Sequence, residues 1–489
     1  MTKSPKDCRG VFIESGPEAL RAAVLDVVPF TPEATAETHT ATVTPLQWAE
    51  IEKRVQFAGG GYRENVFAAE LKNLLPPILT TGVAWRVFDG CRWELIAGPE
   101  RFLPLALELL GHFNHATARR AGDLIAHIGG ACQTTQKWRG AYTFDSVGAV
   151  LLNLTNGILR VTQTTIDLGP HDWSQGFCLV IPTAWDPGGA CPGFTATLAE
   201  AMPDADDREL FRLFAGSILE PSARLESALS IFGPGGTSKS TLANDGVAET
   251  IGGTASGTVS RLSLRQLCDP KSYSLPALEF SMLNIITEGD GLEVEESENF
   301  KKITSGEPID CREIYGKPRT IITTSKLLMT TNALPRFRNG TDSEGRRMRL
   351  LNFDQVPANP DPELKHRIRG EAPGVLRWMV EAMQDVLALR GMPWGGANAK
   401  MVSDRFTLTN DSLGCFIATE CTLDPAGHTP REELIDAFNE FADSHGFSAD
   451  NASWFFRKLF DRFPNLKGKK RLNVRGVAGI TLNRGFREG

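Results

Sequence analysis

The densest local chemistry in the chain lies in nine consecutive residues, Gly233, Pro234, Gly235, Gly236, Thr237, Ser238, Lys239, Ser240 and Thr241. They follow a short apolar run, Leu229-Ser-Ile-Phe232, and precede a helical pattern starting near Leu242. A phosphate chain carries several negative charges and accepts many hydrogen bonds. Glycines let backbone N–H groups wrap it, and a helix N-terminus adds partial positive charge. Lys239 is placed to reach the β- and γ-phosphates and Ser240 to hold magnesium, so the segment is expected to bind a nucleoside triphosphate. One position departs from the usual pattern. The residue before the lysine is commonly glycine, and here it is Ser238, whose Cβ crowds the loop unless the backbone takes a conformation that a non-glycine tolerates. A glycine-rich turn without a ligand is the plainer alternative. The Lys-Ser-Thr triplet between a strand and a helix argues against it.

A phosphate loop identifies binding and leaves the reaction open. Two further strand ends supply candidates for it. Leu283-Asn-Ile-Ile-Thr287 is an apolar run ending at Glu288, where a carboxylate would activate water or ligate magnesium. Asp290 is a weaker second candidate, also for the metal. Leu327-Leu-Met-Thr-Thr-Asn332 ends in an amide that would orient the water. In a parallel sheet the carboxyl ends of strands meet at one crevice, so Lys239, Glu288 and Asn332 are expected to converge. Taken singly, a Glu or Asn ending a strand is more often a solvated or turn-forming residue. The ordered series of three strengthens each.

The elements that must position these residues read as an α/β core with additions on both sides. Residues 31–45 read as a linker, residues 83–95 as a hairpin turning at Asp89-Gly90, and residues 101–130 as helical. Residues 144–195 look strand-rich, with a turn at Asn156-Gly157. Short apolar strands and helices alternate from Asp206 to Phe353, helices follow over 363–389, and the end reads helix (430–445), helix (451–463) and a basic strand pair. The boundaries expected are 1–80 for an N-terminal extension and linker, 81–215 for an α+β domain, 216–360 for the ATPase core, 361–400 for a helical extension and 401–489 for a basic terminal domain.

At 489 residues, with 41% hydrophobic and 23% charged residues, the chain is long enough for two to four packed domains. No apolar stretch is long enough for a membrane span, and the start is not a signal peptide, so a soluble intracellular protein is expected. Nine cysteines without a Cys-x-x-Cys pair argue against a zinc site or a disulfide framework. The net charge is −7, yet the bases Lys467, Lys469, Lys470, Arg471, Arg475, Arg484 and Arg487 crowd the C-terminus, which suggests a defined polyanion contact.

The phosphate loop, the strand ending at Glu288, the segment Phe300 to Lys317, the strand end Thr331-Asn332-Ala-Leu-Pro-Arg336 and the run Gly345-Arg346-Arg347-Met-Arg349 together resemble the superfamily 3 helicases. The nearest group is the helicase part of phage, plasmid and poxvirus primase-helicases. Trp85 to Trp93, Leu152 to Gly157, His171-Asp172 and Trp185-Asp-Pro187 resemble the domain before the motor in that group. Glu371 to Trp378 resembles the segment after it. The resemblance implies an AAA+ type P-loop ATPase core with a C-terminal winged-helix-like domain, ATP and magnesium (Mg2+) as cofactors, a homo-hexameric ring and translocation on single-stranded DNA. It implies that Arg346, or Arg347 beside it, completes a neighbouring subunit's site. It also implies a hairpin in the ring channel, with Lys317 first among DNA contacts, then Arg312 and Tyr315, and Lys301 and Lys302 on the preceding helix. Lys469, Lys470, Arg471 and Arg475 would meet the phosphates of duplex or forked DNA, with a protein partner an equal alternative for this terminal domain. About eighty residues precede the matched region, too few for a primase domain, so a separate primase or initiator is implied, in the cytoplasm of a bacterial host carrying a mobile element. Two other readings stand beside the helicase: a ring that binds or loads DNA with little unwinding, and a phosphate-loop kinase acting on a small molecule.

Overall fold

The computed structural model describes Ala68 and residues 78–81, 84–96, 118–132, 134–135, 137–287, 293–294, 297–337, 342–357, 361–444, 451–471 and 474–483. The chain divides into two compact units, one running to Val161 and continuing over Thr165–Trp185, the other holding Thr162–Thr164 and everything from Asp186.

In the first unit, β1 (Ile78–Thr81), β2 (Ala84–Phe88) and β3 (Trp93–Ile96) form an antiparallel sheet, followed by helix α1 (Ala118–Ala131). Strands β4 (Tyr142–Phe144), β5 (Val150–Leu154), β6 (Gly157–Val161) and β7 (Ile166–Gly169) form a four-stranded meander. The turn expected at Asn156-Gly157 joins β5 to β6, and it requires glycine: φ is +143°, and a Cβ would sit 2.2 Å from the carbonyl oxygen of Gly169. The motif residues of this unit are structural. Asn153, fully buried, donates to the carbonyls of Cys91 and Leu179 at 3.0 Å, and its Oδ1 lies 3.1 Å from His171 Nδ1. Burial pushes the His171 imidazole below its usual range. Trp93 is buried with its Nε1 donating to the Trp173 carbonyl at 2.7 Å.

The second unit opens with α2 (Pro192–Ala201) and α3 (Ala205–Ile218) and then builds a five-stranded parallel sheet. In spatial order its strands are β16 (Met348–Asn352), β8 (Ala228–Phe232), β14 (Lys326–Thr331), β10 (Leu283–Thr287) and β9 (Val259–Ser260). These read as nearly unbroken apolar runs because a parallel sheet is covered on both faces. Helix α4 (Thr241–Ala248, continued over Glu249–Ile251) follows β8, with α5 (Leu264–Cys268) beyond β9. Between β10 and β14 the chain inserts β11 (Glu293–Val294), α6 (Glu298–Ser305) and the antiparallel pair β12 (Ile309–Cys311) and β13 (Arg319–Ile321). β15 (Arg336–Phe337) pairs with β11, and α7 (Asp342–Arg347) leads into β16.

After the sheet come α8 (Leu364–Gly370), α9 (Ala372–Ala388) and α10 (Ala397–Asn410). α10 packs on the parallel-sheet core: Phe406 belongs to the same buried cluster as Phe300, Phe337 and Leu350, and Asn410 Oδ1 accepts from the Phe337 N–H at 2.7 Å. The last segment has its own core, with Phe416, Phe438, Phe455, Leu459 and Val477 buried together. It contains α11 (Ser412–Glu420), β17 (Cys421–Thr422), β18 (His428–Pro430), α12 (Arg431–Ser444), α13 (Ala452–Arg462), β19 (Lys467–Arg471), β20 (Val474–Ala478) and β21 (Thr481–Leu482). β18, β20 and β19 lie side by side in that order. No helix among the described residues is long and apolar enough to cross a membrane.

Candidate functional site

The loop after β8 turns sharply because its glycines permit it. Gly233 has φ +143°, and a Cβ there would stand 2.0 Å from the Phe353 carbonyl oxygen at the end of the neighbouring β16 strand. Gly236 has φ +83°, and a Cβ on Gly235 would meet nothing within 4 Å, which leaves the loop open to close approach. Ser238 also takes a left-handed conformation, at φ +62°. That is the resolution the serine finds: it adopts the glycine-like backbone at a cost of about 1–2 kcal/mol for an L-residue. Lys239 is buried, its ammonium donating to the carbonyls of Gly233 at 2.7 Å and Pro234 at 2.6 Å and to Thr237 Oγ1 at 3.2 Å. The loop therefore curls around its own lysine and concentrates positive charge at its centre. Ser240 is exposed at the start of the following helix, which is π-wound over Thr241–Ala248, a winding that sequence periodicity does not signal.

The loop forms one wall of a cleft of about 830 Å³, in the range of small-ligand sites. Gly235 to Thr241 line it together with Thr287 from β10, Thr330 from β14 and Asn332 just past the end of β14. This follows from strand order: β14 lies between β8 and β10, and neighbouring strands are about 4.8 Å apart, so the three carboxyl ends present a row within about 10 Å. Thr330 Oγ1, lining this wall, is buried with no hydrogen-bond partner among the described residues. Glu288 and Asp290 lie outside the described residues. The described residues contain no group of His, Cys, Asp and Glu that could hold a metal by themselves.

The opposite wall comes from elements that spacing along the chain does not connect to the loop. Gly193, Ala196, Thr197 and Glu200 of α2 line it, as do Pro357, Asp361, Pro362, Leu364, Lys365 and Arg367 around α8. Glu371 locks α2 in place by accepting from the Gly193 and Phe194 N–H groups, both at 2.9 Å. The Glu363 N–H and the Arg367 guanidinium, 2.7 Å away, hold the Asp361 carboxyl below its usual range.

Arg346 and Arg347 end α7, immediately before β16, at the sheet edge opposite the loop. β16 is 5 residues long, about 16 Å at the rise of a strand, which exceeds the reach of an arginine side chain toward its own chain's cleft. Arg346 is exposed. Arg347 is held within its own chain, donating to Glu226 Oε2 and Ser305 Oγ at 3.0 Å each. A third arginine, not singled out by sequence, pins this turn. Arg349 lies 3.7 Å from the centroid of the Trp394 ring and donates to the Met392, Pro393 and Arg346 carbonyls. Burial pushes its guanidinium down to about 10.

The hairpin between β12 and β13 carries the other basic candidates. Its strands stop at Cys311 and restart at Arg319, and between them Tyr315 turns left-handed at φ +62°. Ile314, Tyr315 and Lys317 are exposed there, Tyr315 fully. Arg312 leans away to stack 5.0 Å from the Tyr273 ring centroid and donates to its hydroxyl at 2.7 Å. Lys301 pairs with the buried Glu344 at 3.3 Å, and Lys302 with Glu298 at 2.6 Å. Far along the chain, Lys469 and Lys470 on β19 and Arg475 on β20 are exposed. Arg471 ends β19, and its side chain lies outside the described residues.

Residues 231–347, from within β8 to Arg347, match a family of unknown function, DUF5906. No curated protein matches the chain. Among solved structures, the apo structure of the C-terminal region of NrS-1 aligns with a TM-score of 0.50 and 12% identity, covering 86% of this chain and 100% of that one. An A-form apo structure of the same region gives 0.48 and 12%, over 84% of this chain and 97% of that one. At this identity the similarity concerns the fold, which this chain shares with the C-terminal region of NrS-1 along most of its length.

Proposed function

We propose that the chain is an ATP-dependent DNA helicase subunit of the superfamily 3, AAA+ type, moving along single-stranded DNA as a hexameric ring during replication of a mobile element and acting with a separate primase. The observation that carries the reading is the split of the site. Lys239 and Asn332 line one cleft, while Arg346 is exposed at the far sheet edge, where an arginine serving a neighbour's nucleotide would have to lie.

The residues present fit a magnesium nucleotide. The loop's open glycines and central ammonium suit the phosphates, and Ser240, with Glu288 as the expected carboxylate, would hold the metal, which supplies charge neutralisation on the phosphoryl oxygens. The wall of Gly193, Ala196, Pro357, Pro362 and Leu364 suits a base and sugar, with Lys365 and Arg367 on its rim. Asn332 would orient the attacking water, and Arg346 of the adjacent copy would steady the developing charge. The exposed tip of Ile314, Tyr315 and Lys317 suits a threaded strand: an aromatic for stacking and a cation that releases easily.

The test is ATP hydrolysis with and without single-stranded DNA, together with strand displacement on a tailed duplex. DNA is expected to raise turnover. Lys239→Ala should lower hydrolysis by about a hundredfold or more and abolish displacement. Lys317→Ala should remove the response to DNA. Hydrolysis indifferent to DNA would instead favour a nucleotide-stabilised ring that holds DNA, a reading supported by the strained Ser238. Phosphorylation of a metabolite by a monomer would favour the kinase.

A further inference from the structure

The turn that presents Arg346 rests on a buried guanidinium. Arg349 lies on β16, 6% exposed, and meets carbonyls and a ring rather than a carboxylate. It donates to the Pro393 carbonyl at 2.8 Å, to the Met392 carbonyl at 2.9 Å and to the Arg346 carbonyl at 2.8 Å, and it stacks 3.7 Å from the Trp394 ring centroid. A cation taken out of water is costly unless its donors are satisfied and its charge is answered; here the carbonyls and the face of the indole do both. The result is a rigid link between the loop at 392–396 and the backbone of Arg346.

The same loop, which joins α9 to α10, is gripped from its other end by α3. Asp207, 6% exposed, accepts from the Gly396 N–H at 2.8 Å. Position 396 admits no side chain, because a Cβ there would stand 2.6 Å from Asp204 Oδ2. Arg208 fixes the start of α3 in turn, donating to the Met202 and Pro203 carbonyls at 2.6 and 2.7 Å. Displacing the loop would therefore leave buried donors or acceptors without partners at one end or the other. α7, by contrast, has only six residues, too few to hold its own last turn. Arg347 ties that turn to Glu226 and Ser305, and the Arg349 link fixes the backbone of Arg346 itself.

We infer that the loop at 392–396 is a brace for the arginine that one copy offers to the next, with Arg349, Trp394 and Asp207 as positioning residues that touch no nucleotide. The inference rests on the reading of Arg346 as the residue that completes a neighbour's site. A donor aimed at developing charge must be held closely, and a displacement of about 1 Å can lower a rate by up to about a hundredfold. None of the three positioning residues lines the chain's own cleft. Their effect therefore belongs to the neighbouring copy's site: a chain with a broken brace keeps a sound cleft and spoils the one beside it.

The experiment measures steady-state ATP hydrolysis by the full chain, at a concentration where sedimentation shows each variant assembled, with Arg346→Ala as comparator. Trp394→Ala should lower kcat by about tenfold or more and leave KM within about twofold of native. Trp394→Phe keeps a ring over the guanidinium and should stay within about threefold of native. Asp207→Ala, whose side chain is buried within the chain, should repeat the kcat loss and keeps the test open if Trp394→Ala fails to assemble. The decisive readout is mixing. Lys239→Ala chains, inactive in their own clefts but with the brace intact, are added in excess to Trp394→Ala chains, and the rate per Trp394→Ala chain should rise toward native. A loss that the added chains do not restore would place the effect in the chain's own cleft and overturn the brace. Native kcat in both Trp394→Ala and Asp207→Ala, with Arg346→Ala inactive, would also overturn it while leaving the shared site standing. Native hydrolysis by Arg346→Ala would instead remove the shared site, and the brace with it.

Discussion

Ser238 holds a backbone conformation that glycine adopts without strain, and it does so at the centre of the glycine-rich loop after β8. Ser238→Gly removes that strain but loosens the unfolded chain, so a net gain of up to about 1 kcal/mol is expected. Chemical denaturation measures it, and a loss of stability would show that the serine side chain contributes more than its backbone costs. At this scale the sequence is most explicit. Lys239 and Asn332 were legible because glycine runs and strand-ending polar residues are local patterns. Thr197, Glu200, Lys365 and Arg367 were not, since nothing in their spacing ties them to a loop far along the chain.

Between elements, α6 and α7 are coupled by a buried carboxylate. Glu344 is fully buried, accepts from Ser297 Oγ and from Ser343 Oγ at 3.1 Å, and pairs with Lys301. Arg347 adds a second tie to Ser305 at the end of α6. α6 runs directly into the β12–β13 hairpin, and α7 carries Arg346. The segment leading into the hairpin and the turn that carries Arg346 are thereby tied through the same buried carboxylate. Glu344→Gln removes the charge and keeps the shape; it should cost about 1–3 kcal/mol of stability and lower DNA-stimulated turnover by about tenfold while nucleotide still binds. Turnover measured beside binding of a fluorescent ATP analogue separates the two effects, and an unchanged DNA response would leave Glu344 a packing residue only. The strand and helix pattern of the parallel-sheet core was legible, because buried parallel strands are short apolar runs. The left-handed turn at Tyr315 within the hairpin was not, since a tyrosine carries no local signal for a positive φ.

For the whole molecule, the proposed site is shared between copies. Arg346→Ala should lower hydrolysis about a thousandfold. Mixed with Lys239→Ala, it should recover about a quarter of native activity, because random pairing places an intact loop beside an intact arginine at about one interface in four. Mixtures as inactive as their components would refute sharing. The basic C-terminal composition was legible as charge and as a strand pair.

The length of β16 separates the loop of each chain from its own Arg346, and that separation has a thermodynamic reading. A triphosphate gripped by two polypeptides acts as a clasp, so its binding and subunit association must strengthen one another by an equal factor. Sedimentation of dilute protein should shift to larger species as nucleotide is titrated in, and affinity for nucleotide should rise in step as the protein is concentrated.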